Sequence, residues 1–292
     1  MRNYNPEVLK QLQSVEIDML ERFTTICEKY DIRYFAIFGT AIGCMRHHDF
    51  IPWDDDVDIG MLKEDYEKLR AVPKSEWEPS LVLCDPFDDN EDHFFPYPRI
   101  YRLNTTLIPE SFAAMIDRKR NNTGIKYNGV WIDIFVFHRF QSMKEIASVK
   151  KRAIVLRKKY LYAKKMKRID SETSIARKLL ASCENAYSFF INMLCTAPEK
   201  AIYQKYNALF KEEGDLVTTI DYPYENSPEL TTLNINELLP LRRASFSGLT
   251  VFVPNNVEKN LRNIYGDYME LPPPEKRENH APSFLDLGEH IP

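Results

Sequence analysis

Apolar residues recur along the first part of the chain at two different spacings. From Pro6 to about Lys29 they follow one another every three or four positions, which predicts an amphipathic helix with proline in its first turn. Shorter runs rich in β-branched and aromatic residues predict buried strands. The predicted strands are Arg33–Phe38, Val57–Met61, Leu81–Cys84, Phe94–Leu103 and Val130–Phe137, and a charged surface helix is predicted at Lys63–Val72. The first half of the chain is therefore predicted to combine helices with a sheet.

The pattern changes near residue 140. From Ser142 to about Phe210 the spacing is helical and Lys and Arg are frequent, whereas turns and β-prone runs return after Gly214. We predict one domain, residues 1–292, with an α+β fold built on a mixed β-sheet flanked by helices. Its parts are a core at residues 1–140, a helical subdomain at 141–214 and a C-terminal segment at 215–292 that packs back on the core.

Composition narrows the class of protein. Hydrophobic residues make up 44% and charged residues 28%, as in ordinary globular proteins, and a net charge of −4 gives no global attraction to nucleic acid. The five cysteines are scattered and form no C-x-x-C pair, so neither a disulfide framework nor a zinc site is predicted. The first residues lack the apolar stretch of a signal peptide, and no run is apolar enough to span a bilayer. These features predict a cytoplasmic protein.

Candidate chemistry is concentrated in an acidic run, Asp54-Asp55-Asp56-Val57-Asp58. Because side chains alternate across a strand, Asp56 and Asp58 fall on one face, about 7 Å apart. Such a pair can bracket a hard cation such as Mg²⁺, which prefers carboxylate and phosphate oxygens. Asp133 lies in the middle of an apolar strand, where a lone carboxylate is penalised unless it has a partner. The simplest account makes Asp133 the third carboxylate of the same metal site.

Other interpretations of these acids remain open. An acidic run is often a solvated loop, and Asp133 could be a buried acid paired with an arginine or with backbone donors. An EF-hand fails, because its glycine position holds Ile59 and its final glutamate position holds Asp65. Upstream, a buried strand followed by Gly39-Thr40 can offer backbone N–H groups and a hydroxyl to phosphate oxygens.

Segments around this acidic run carry a family resemblance. Phe38–Gly43 (FGTAIG), Arg46-His47 and Phe50–Met61 (FIPWDDDVDIGM) closely resemble the signature of the LicD family. That family groups bacterial phosphocholine transferases with relatives of fukutin, within the nucleotidyltransferase superfamily. The resemblance continues through Pro98–Ile100, Thr105-Thr106, Ile132–Phe135, Tyr265–Met269 and Pro272–Arg277, and ends with His280. It departs from the family pattern at Cys44-Met45 and His48-Asp49, which leaves details of donor and acceptor open.

The resemblance implies a nucleotidyltransferase-like mixed sheet and a catalytic metal, Mg²⁺ or Mn²⁺. It implies that Asp56, Asp58 and Asp133 are the catalytic and metal-binding acids and that Gly39-Thr40 contacts the donor phosphate. The implied donor is CDP-choline or another CDP-alcohol, the implied acceptor is a hydroxyl of a cell-surface glycan, and the implied product is CMP.

Further residues are assigned from their chemistry. Arg46, His47 and Arg99 are candidates for binding the leaving nucleotide's phosphate, although His47 could equally be a simple loop histidine. Asp133 is the first choice as base for the acceptor hydroxyl. A quaternary ammonium on the donor would lie against aromatic rings. The rings near the site in sequence are those of Tyr97, Tyr101, Trp131 and Phe135. The alternative interpretation is that these rings belong to the hydrophobic core.

The segment Lys150–Arg168 contains ten Lys and Arg residues with apolar residues between them. One interpretation is a solvated helix face. The other is a surface for peripheral contact with an anionic lipid leaflet at the inner membrane surface, or with a lipid-linked glycan. No nucleic-acid partner is predicted, because the chain as a whole is acidic.

Two rival functions accompany the predicted phosphocholine transfer. The first is transfer of NMP from an NTP, and product analysis separates it from the main prediction. The second is a non-catalytic, glycan-binding relative. Retention of three mutually repelling acids argues against the second rival.

Overall fold

The fold begins with the helix that the N-terminal periodicity predicts. In this computed structural model, which describes residues 4–85, 97–110, 129–163, 183, 186–187, 189–190, 193, 198–220, 228–277 and 279–288, helix α1 spans Pro6–Lys29. Asn5 caps it, because its side chain accepts a hydrogen bond of 3.0 Å from the backbone N–H of Glu7. One face of α1 packs into the core through Leu12, Met19 and Phe23, among others.

A seven-stranded mixed sheet forms the centre of the fold. The strands are β1 (Phe35–Ala36), β2 (Asp58–Leu62), β3 (Leu81–Cys84), β4 (Arg99–Arg102), β6 (Trp131–Phe140), β7 (Leu216–Thr219) and β8 (Leu233–Asn234). Strand β2 pairs in parallel with β6, whereas the pairs β1–β2, β6–β4, β4–β3 and β7–β8 are antiparallel. The order is β1-β2-β6-β4-β3, with β7 added beside β6 and β8 beside β7. The predicted combination of a mixed sheet with helices is confirmed.

Shorter strands, turns and helices lie outside the central sheet. A hairpin of β9 (Arg242–Phe246) and β10 (Leu249–Val253) turns at Ser247-Gly248, and β5 (Thr106–Ile108) pairs with β11 (Phe284–Asp286). Two single-turn 3₁₀ helices lie at Lys74–Glu76 and Pro274–Lys276, and a π-helical turn lies at Gly43–His47. The remaining helices of this part are α2 (Phe38–Ile42), α3 (Lys63–Ala71), α6 (Pro228–Thr231), α7 (Ile235–Leu238) and α8 (Val257–Tyr265).

The chain divides into two compact units. The first comprises residues 1–138 and 215–292 and contains the acidic run, and the second is Arg139–Gly214. In the second unit, α4 (Met143–Ala163) and α5 (Pro198–Asn207) contact each other. There Arg157 donates a hydrogen bond of 2.6 Å to the Tyr206 hydroxyl. Within the described parts of both units, no helix is both long and apolar enough to cross a membrane.

Two predicted strands are shorter than their sequence patterns indicate. The run Arg33–Phe38 forms only the two residues of β1, because Phe38 adopts a left-handed conformation (φ 46°) that turns the chain into α2. Of the predicted strand Phe94–Leu103, residues 94–96 lie outside the described residues and β4 covers Arg99–Arg102.

Candidate metal centre and substrate site

Three carboxylates converge at the start of β2. Asp56 lies in the loop before the strand, Asp58 is its first residue, and Asp133 lies in β6 directly opposite Asp58 in the parallel register. One oxygen from each of the three side chains lies within 4.8 Å of the others. The structure therefore brings together the three acids that the sequence analysis selected as metal ligands.

The electrostatics of this cluster favour a bound cation. Burial raises the pKa of both Asp56 and Asp58, and the charges of neighbouring aspartates raise them further. Two like charges about 4 Å apart repel by roughly 4 kcal/mol at an effective dielectric constant near 20. A divalent cation reverses the sign of this interaction. Two oxygens bound to one Mg²⁺ at about 2.1 Å are at most about 4.2 Å apart, so the three carboxylates need only small movements to share it. The residues present therefore fit a hard divalent metal.

Arg99 lies behind this cluster and is almost completely buried, with 2% of its surface exposed. Its guanidinium forms a two-point ion pair with Asp133, from Nε to Oδ1 and from Nη2 to Oδ2, the latter at 3.2 Å. The Trp131 ring lies beneath it at 4.1 Å. Arg99 thus positions Asp133 at the edge of the acidic cluster. The alternative of an arginine-paired Asp133 is therefore present together with the acidic cluster, and phosphate binding by Arg99 stays a prediction.

Gly39 and Thr40 lie in α2, beside the acidic run. The Thr40 hydroxyl accepts a hydrogen bond of 2.8 Å from the backbone N–H of Asp58, so it fixes the start of β2. A Cβ atom on Gly39 would lie only 2.5 Å from the carboxylate oxygen Oδ2 of Asp54, so a larger residue here would displace that carboxylate. The structure gives both residues a role in positioning the acidic run. Their contact with donor phosphate stays a prediction.

Arg46 and His47 lie in the π-helical turn that follows α2. Arg46 Nε donates a hydrogen bond of 2.9 Å to His47 Nε2, and Nη1 donates to the backbone oxygens of Tyr268 and Glu270. Burial and then the Arg46 charge lower the pKa of His47, so this imidazole is neutral at pH 7. The two residues connect the turn to the C-terminal segment, and their predicted contact with the leaving nucleotide is untested by this geometry.

Glu16 is a member of the acidic region that the sequence analysis missed. It lies on the buried face of α1 with 1% of its surface exposed, and its Oε2 has no hydrogen-bond partner among the described residues. Burial raises the pKa of Glu16 well above its usual value, and the charge of Asp56 is the next largest cause. One turn earlier, Gln13 donates a hydrogen bond of 2.9 Å to the backbone oxygen of Asp54. A glutamate on the apolar stripe of α1 was the signal that could have identified Glu16.

His280 is a second residue whose contact with the acidic run the sequence analysis did not predict. Its backbone N–H and its Nδ1 both approach Asp55 Oδ1, at 3.3 and 3.4 Å. This bond raises the pKa of His280 to about 9, so the imidazole is protonated at neutral pH. Nearby, the Arg277 guanidinium lies 4.8 Å from the centre of the Trp53 ring. In the sequence analysis, His280 appeared only as the last residue of the family resemblance.

The four aromatic candidates for a quaternary ammonium occupy different environments. Tyr101 and Phe135 are buried, at 3% and 1% exposure, so they belong to the core as the alternative predicted. Trp131 already faces the Arg99 guanidinium. Tyr97 is half-buried and stacks against Phe135 with ring centres 4.7 Å apart. Of these rings, Tyr97 and Trp131 keep some exposure.

Comparison with known proteins places this site in a class. Residues 31–97 match the family described as LicD/FKTN/FKRP, nucleotidyltransferase domain. The chain is 26% identical over 289 residues to the lipopolysaccharide cholinephosphotransferase LicD of Haemophilus influenzae, covering 93% of this chain and 95% of that protein. It is also 42% identical over 50 residues to the human ribitol 5-phosphate transferase FKRP, covering 16% of this chain and 10% of that protein.

These relatives identify the protein as an enzyme of the phosphotransferase class. Within that class, the resemblance to the LicD family that the sequence motifs predicted is confirmed. The matched segment contains Gly39, Thr40, Arg46, His47 and the acidic run, and so it includes Asp56 and Asp58 of the acidic cluster but not Asp133.

Proposed function

We propose that the protein transfers phosphocholine, or a similar phospho-alcohol, from a CDP-linked donor to a hydroxyl of a cell-surface glycan or lipid-linked sugar, with release of CMP. The observation that carries this proposal is the convergence of Asp56, Asp58 and Asp133 within 4.8 Å, two of them contributed by neighbouring parallel strands. The full-length relative that transfers phosphocholine to lipopolysaccharide supports the choice of transferred group and acceptor.

The residues of the chain take distinct parts in this reaction. Asp56, Asp58 and Asp133 would hold Mg²⁺ or Mn²⁺, which when bound neutralises the donor diphosphate and aligns the acceptor hydroxyl. The acceptor oxygen forms a bond to the phosphorus that carries the alcohol, and the bond from that phosphorus to the CMP oxygen breaks. Asp133 takes the hydroxyl proton, and Arg99 holds Asp133 in place.

Donor binding falls to the residues around α2 and to Arg99. Gly39 and Thr40 lie beside Asp54 and Asp58, and Arg46 and His47 follow one turn later. Arginine and backbone N–H groups suit the oxygens of a diphosphate. A nucleotidyltransferase-like fold is part of this proposal, supported by the description of the matching family.

An acceptor at the inner membrane surface is supported by α4. Its described cations Lys151, Arg152, Lys158 and Lys159 are exposed, and so are Ile154 and Val155, at 39% and 51%. Exposed cations interleaved with exposed apolar side chains suit an anionic lipid surface. Residues 164–168 of the basic segment lie outside the described residues. The proposal therefore includes a cytoplasmic enzyme in peripheral contact with the membrane.

A panel of CDP-alcohols tests the function. The protein is incubated with each compound, a glycan acceptor and Mg²⁺ or Mn²⁺, and CMP and the modified acceptor are separated by chromatography. CDP-choline or a related CDP-alcohol should yield equal amounts of both products, and Asp58→Asn should yield neither. Pyrophosphate release from CTP, with NMP on the acceptor, would instead establish the nucleotidyl-transfer rival. Absence of turnover with every donor would favour the non-catalytic, glycan-binding rival.

A further inference from the structure

The C-terminal segment of the first unit reaches the acidic run at several points. Arg46 donates to the backbone oxygens of Tyr268 and Glu270 at one end of this segment. At the other end, strand β11 pairs with β5, residue by residue, from Phe284 to Asp286. Between these anchors the segment contacts the acidic run through His280 on Asp55, and it contacts Trp53, directly before the run, through Arg277. Its position beside the metal candidates is therefore fixed by contacts on both sides.

The contact between Asp55 and His280 is built asymmetrically. Only 5% of the Asp55 side chain is exposed, whereas 79% of the His280 side chain is exposed. Asp55 Oδ1 faces both the backbone N–H and the Nδ1 atom of His280, at 3.3 and 3.4 Å. This arrangement sets the orientation of the imidazole, because a carboxylate that holds Nδ1–H leaves Nε2–H directed elsewhere. Among the described residues, none accepts a hydrogen bond from Nε2.

The position of this pair suggests a ligand. Asp55 adjoins Asp56 in the chain, so His280 contacts the residue directly before a candidate metal ligand. Carboxylates lie around His280, and their negative charges would repel a diphosphate unless cations compensated those charges. Among the described residues, His280 at Asp55 and Arg277 at Trp53 are side chains of the segment that can carry positive charge here. Arg277 already donates from Nε to the backbone oxygen of Pro272 at 2.9 Å, and His280 is the more exposed of the two.

We propose that Asp55 positions His280 so that the imidazole Nε2–H donates a hydrogen bond to a diphosphate oxygen of the nucleotide-linked donor. His280 is then a substrate-binding residue, and Asp55 is a positioning residue that acts through it. This inference rests on the proposed function for the identity of the donor. It assigns a role to the C-terminal segment, which has none in the reaction described for the acidic cluster and the residues around α2.

The test uses the full chain, Mg²⁺ and inorganic pyrophosphate as the probe. Calorimetry compares the parent with His280→Gln and with Lys276→Gln, which removes an exposed cation from the same segment. Loss of a hydrogen bond to a charged group should weaken pyrophosphate binding about tenfold or more in His280→Gln. Lys276→Gln should bind as the parent does. Circular dichroism at the temperature of the titration checks that both variants are folded.

A second readout separates positioning from general structure. In protein labelled with ¹⁵N-histidine, the Nε2 resonance of His280 should move when pyrophosphate is added. Asp55→Asn, which keeps an oxygen near Nδ1 but loses the charge, should bind pyrophosphate with an affinity between those of the parent and His280→Gln. Equal affinity of parent and His280→Gln, an unmoved His280 resonance, or a parent that binds no pyrophosphate would each overturn the inference. Failure of the proposed function has a different signature: His280-dependent pyrophosphate binding without CMP release from any CDP-alcohol.

Discussion

Asp58 and Asp133 are cross-strand neighbours in the parallel pair β2–β6. On the other side of Asp133, the antiparallel neighbour is Arg99 in β4. The sheet thus aligns two acids and one arginine in a single row across three adjacent strands. The arginine compensates one of the acids, and the other has no cationic neighbour in this row. This row makes the two aspartates unequal, which leads to the first prediction.

Asp58→Asn should raise the melting temperature of the metal-free protein, because it relieves repulsion from Asp56 and Asp133. Asp133→Asn should lower it, because Arg99 loses its carboxylate partner in a buried place, at a cost of about 3–5 kcal/mol. Both variants should lose metal affinity and turnover by at least about 100-fold. Scanning calorimetry in EDTA and titration with Mn²⁺ provide the measurements. Full turnover in Asp58→Asn would exclude the proposed centre.

The metal-free protein should become less stable as the pH rises from 5 to 9. Burial, followed by the charge of Asp55, raises the pKa of Asp54 to about 7, whereas the unfolded value is about 3.9. The folded state therefore holds a proton that the unfolded chain loses, and the free energy of unfolding falls as the pH rises through this window. The pKa of His280, raised to about 9, extends the same trend from about pH 6.5 to 9.

Mg²⁺ should oppose this trend, because it binds ionised carboxylates. It should raise the melting temperature more at pH 8.5 than at pH 5.5. Asp54→Asn should flatten the lower part of the metal-free profile, and His280→Gln the upper part. A metal-free stability that is constant between pH 5 and 9 would contradict the prediction.

Glu16→Gln should stabilise the metal-free protein, because the amide removes the cost of a buried carboxyl among aspartates. At pH 7.5 the melting temperature should rise by about 2–4 °C for each kcal/mol gained. Glu21→Gln is the matched control, since Glu21 is an exposed glutamate of the same helix and should change little. Thermal unfolding followed by circular dichroism compares the two. Destabilisation by Glu16→Gln alone would mean that the ionised carboxylate has a stabilising partner.

Thr40→Val should destabilise the protein by about 1–3 kcal/mol, because the buried backbone N–H of Asp58 loses its acceptor. Thr40→Ser keeps the hydroxyl and should retain most of the stability and turnover. Urea unfolding measures the first effect and CMP release the second. If Thr40→Val keeps full turnover and Thr40→Ser loses it, the threonine methyl group, and not the hydroxyl, is the important part of the side chain.

Changing Lys158 and Lys159 together to Gln should weaken use of a liposome-borne acceptor at low salt. Each cation near an anionic surface contributes about 1 kcal/mol, and screening should shrink the difference at high salt. Donor hydrolysis without a membrane should be unaltered. Lys10 and Lys74, exposed lysines of the first unit, provide the control pair. Equal activity of variant and parent on liposomes at low salt would return α4 to the interpretation of a solvated helix face.

The local pattern of the sequence was sufficient for several elements. Helix α1 occupies Pro6–Lys29 as its periodicity predicted, and the charged helix predicted at Lys63–Val72 is α3, Lys63–Ala71. Both depend on interactions between residues three or four positions apart, which a single sequence displays. Strand alternation does not explain the pairing of Asp56 with Asp58, because Asp56 lies in the loop before β2. The LicD motifs, also contiguous in sequence, were sufficient to predict the class of enzyme.

The partners of these residues depend on strand order and chain return, which local periodicity does not encode. Arg99 and Asp133, 34 positions apart, meet because β4 and β6 are neighbours in the sheet. His280 meets Asp55 across 225 positions, because the chain returns after α8 and is fixed by β11. Glu16 joins the acidic region only through packing of α1 against the core. Sequence alone thus selected acids that lie together in the fold, and tertiary packing decided which groups compensate them, position them or lie close to them.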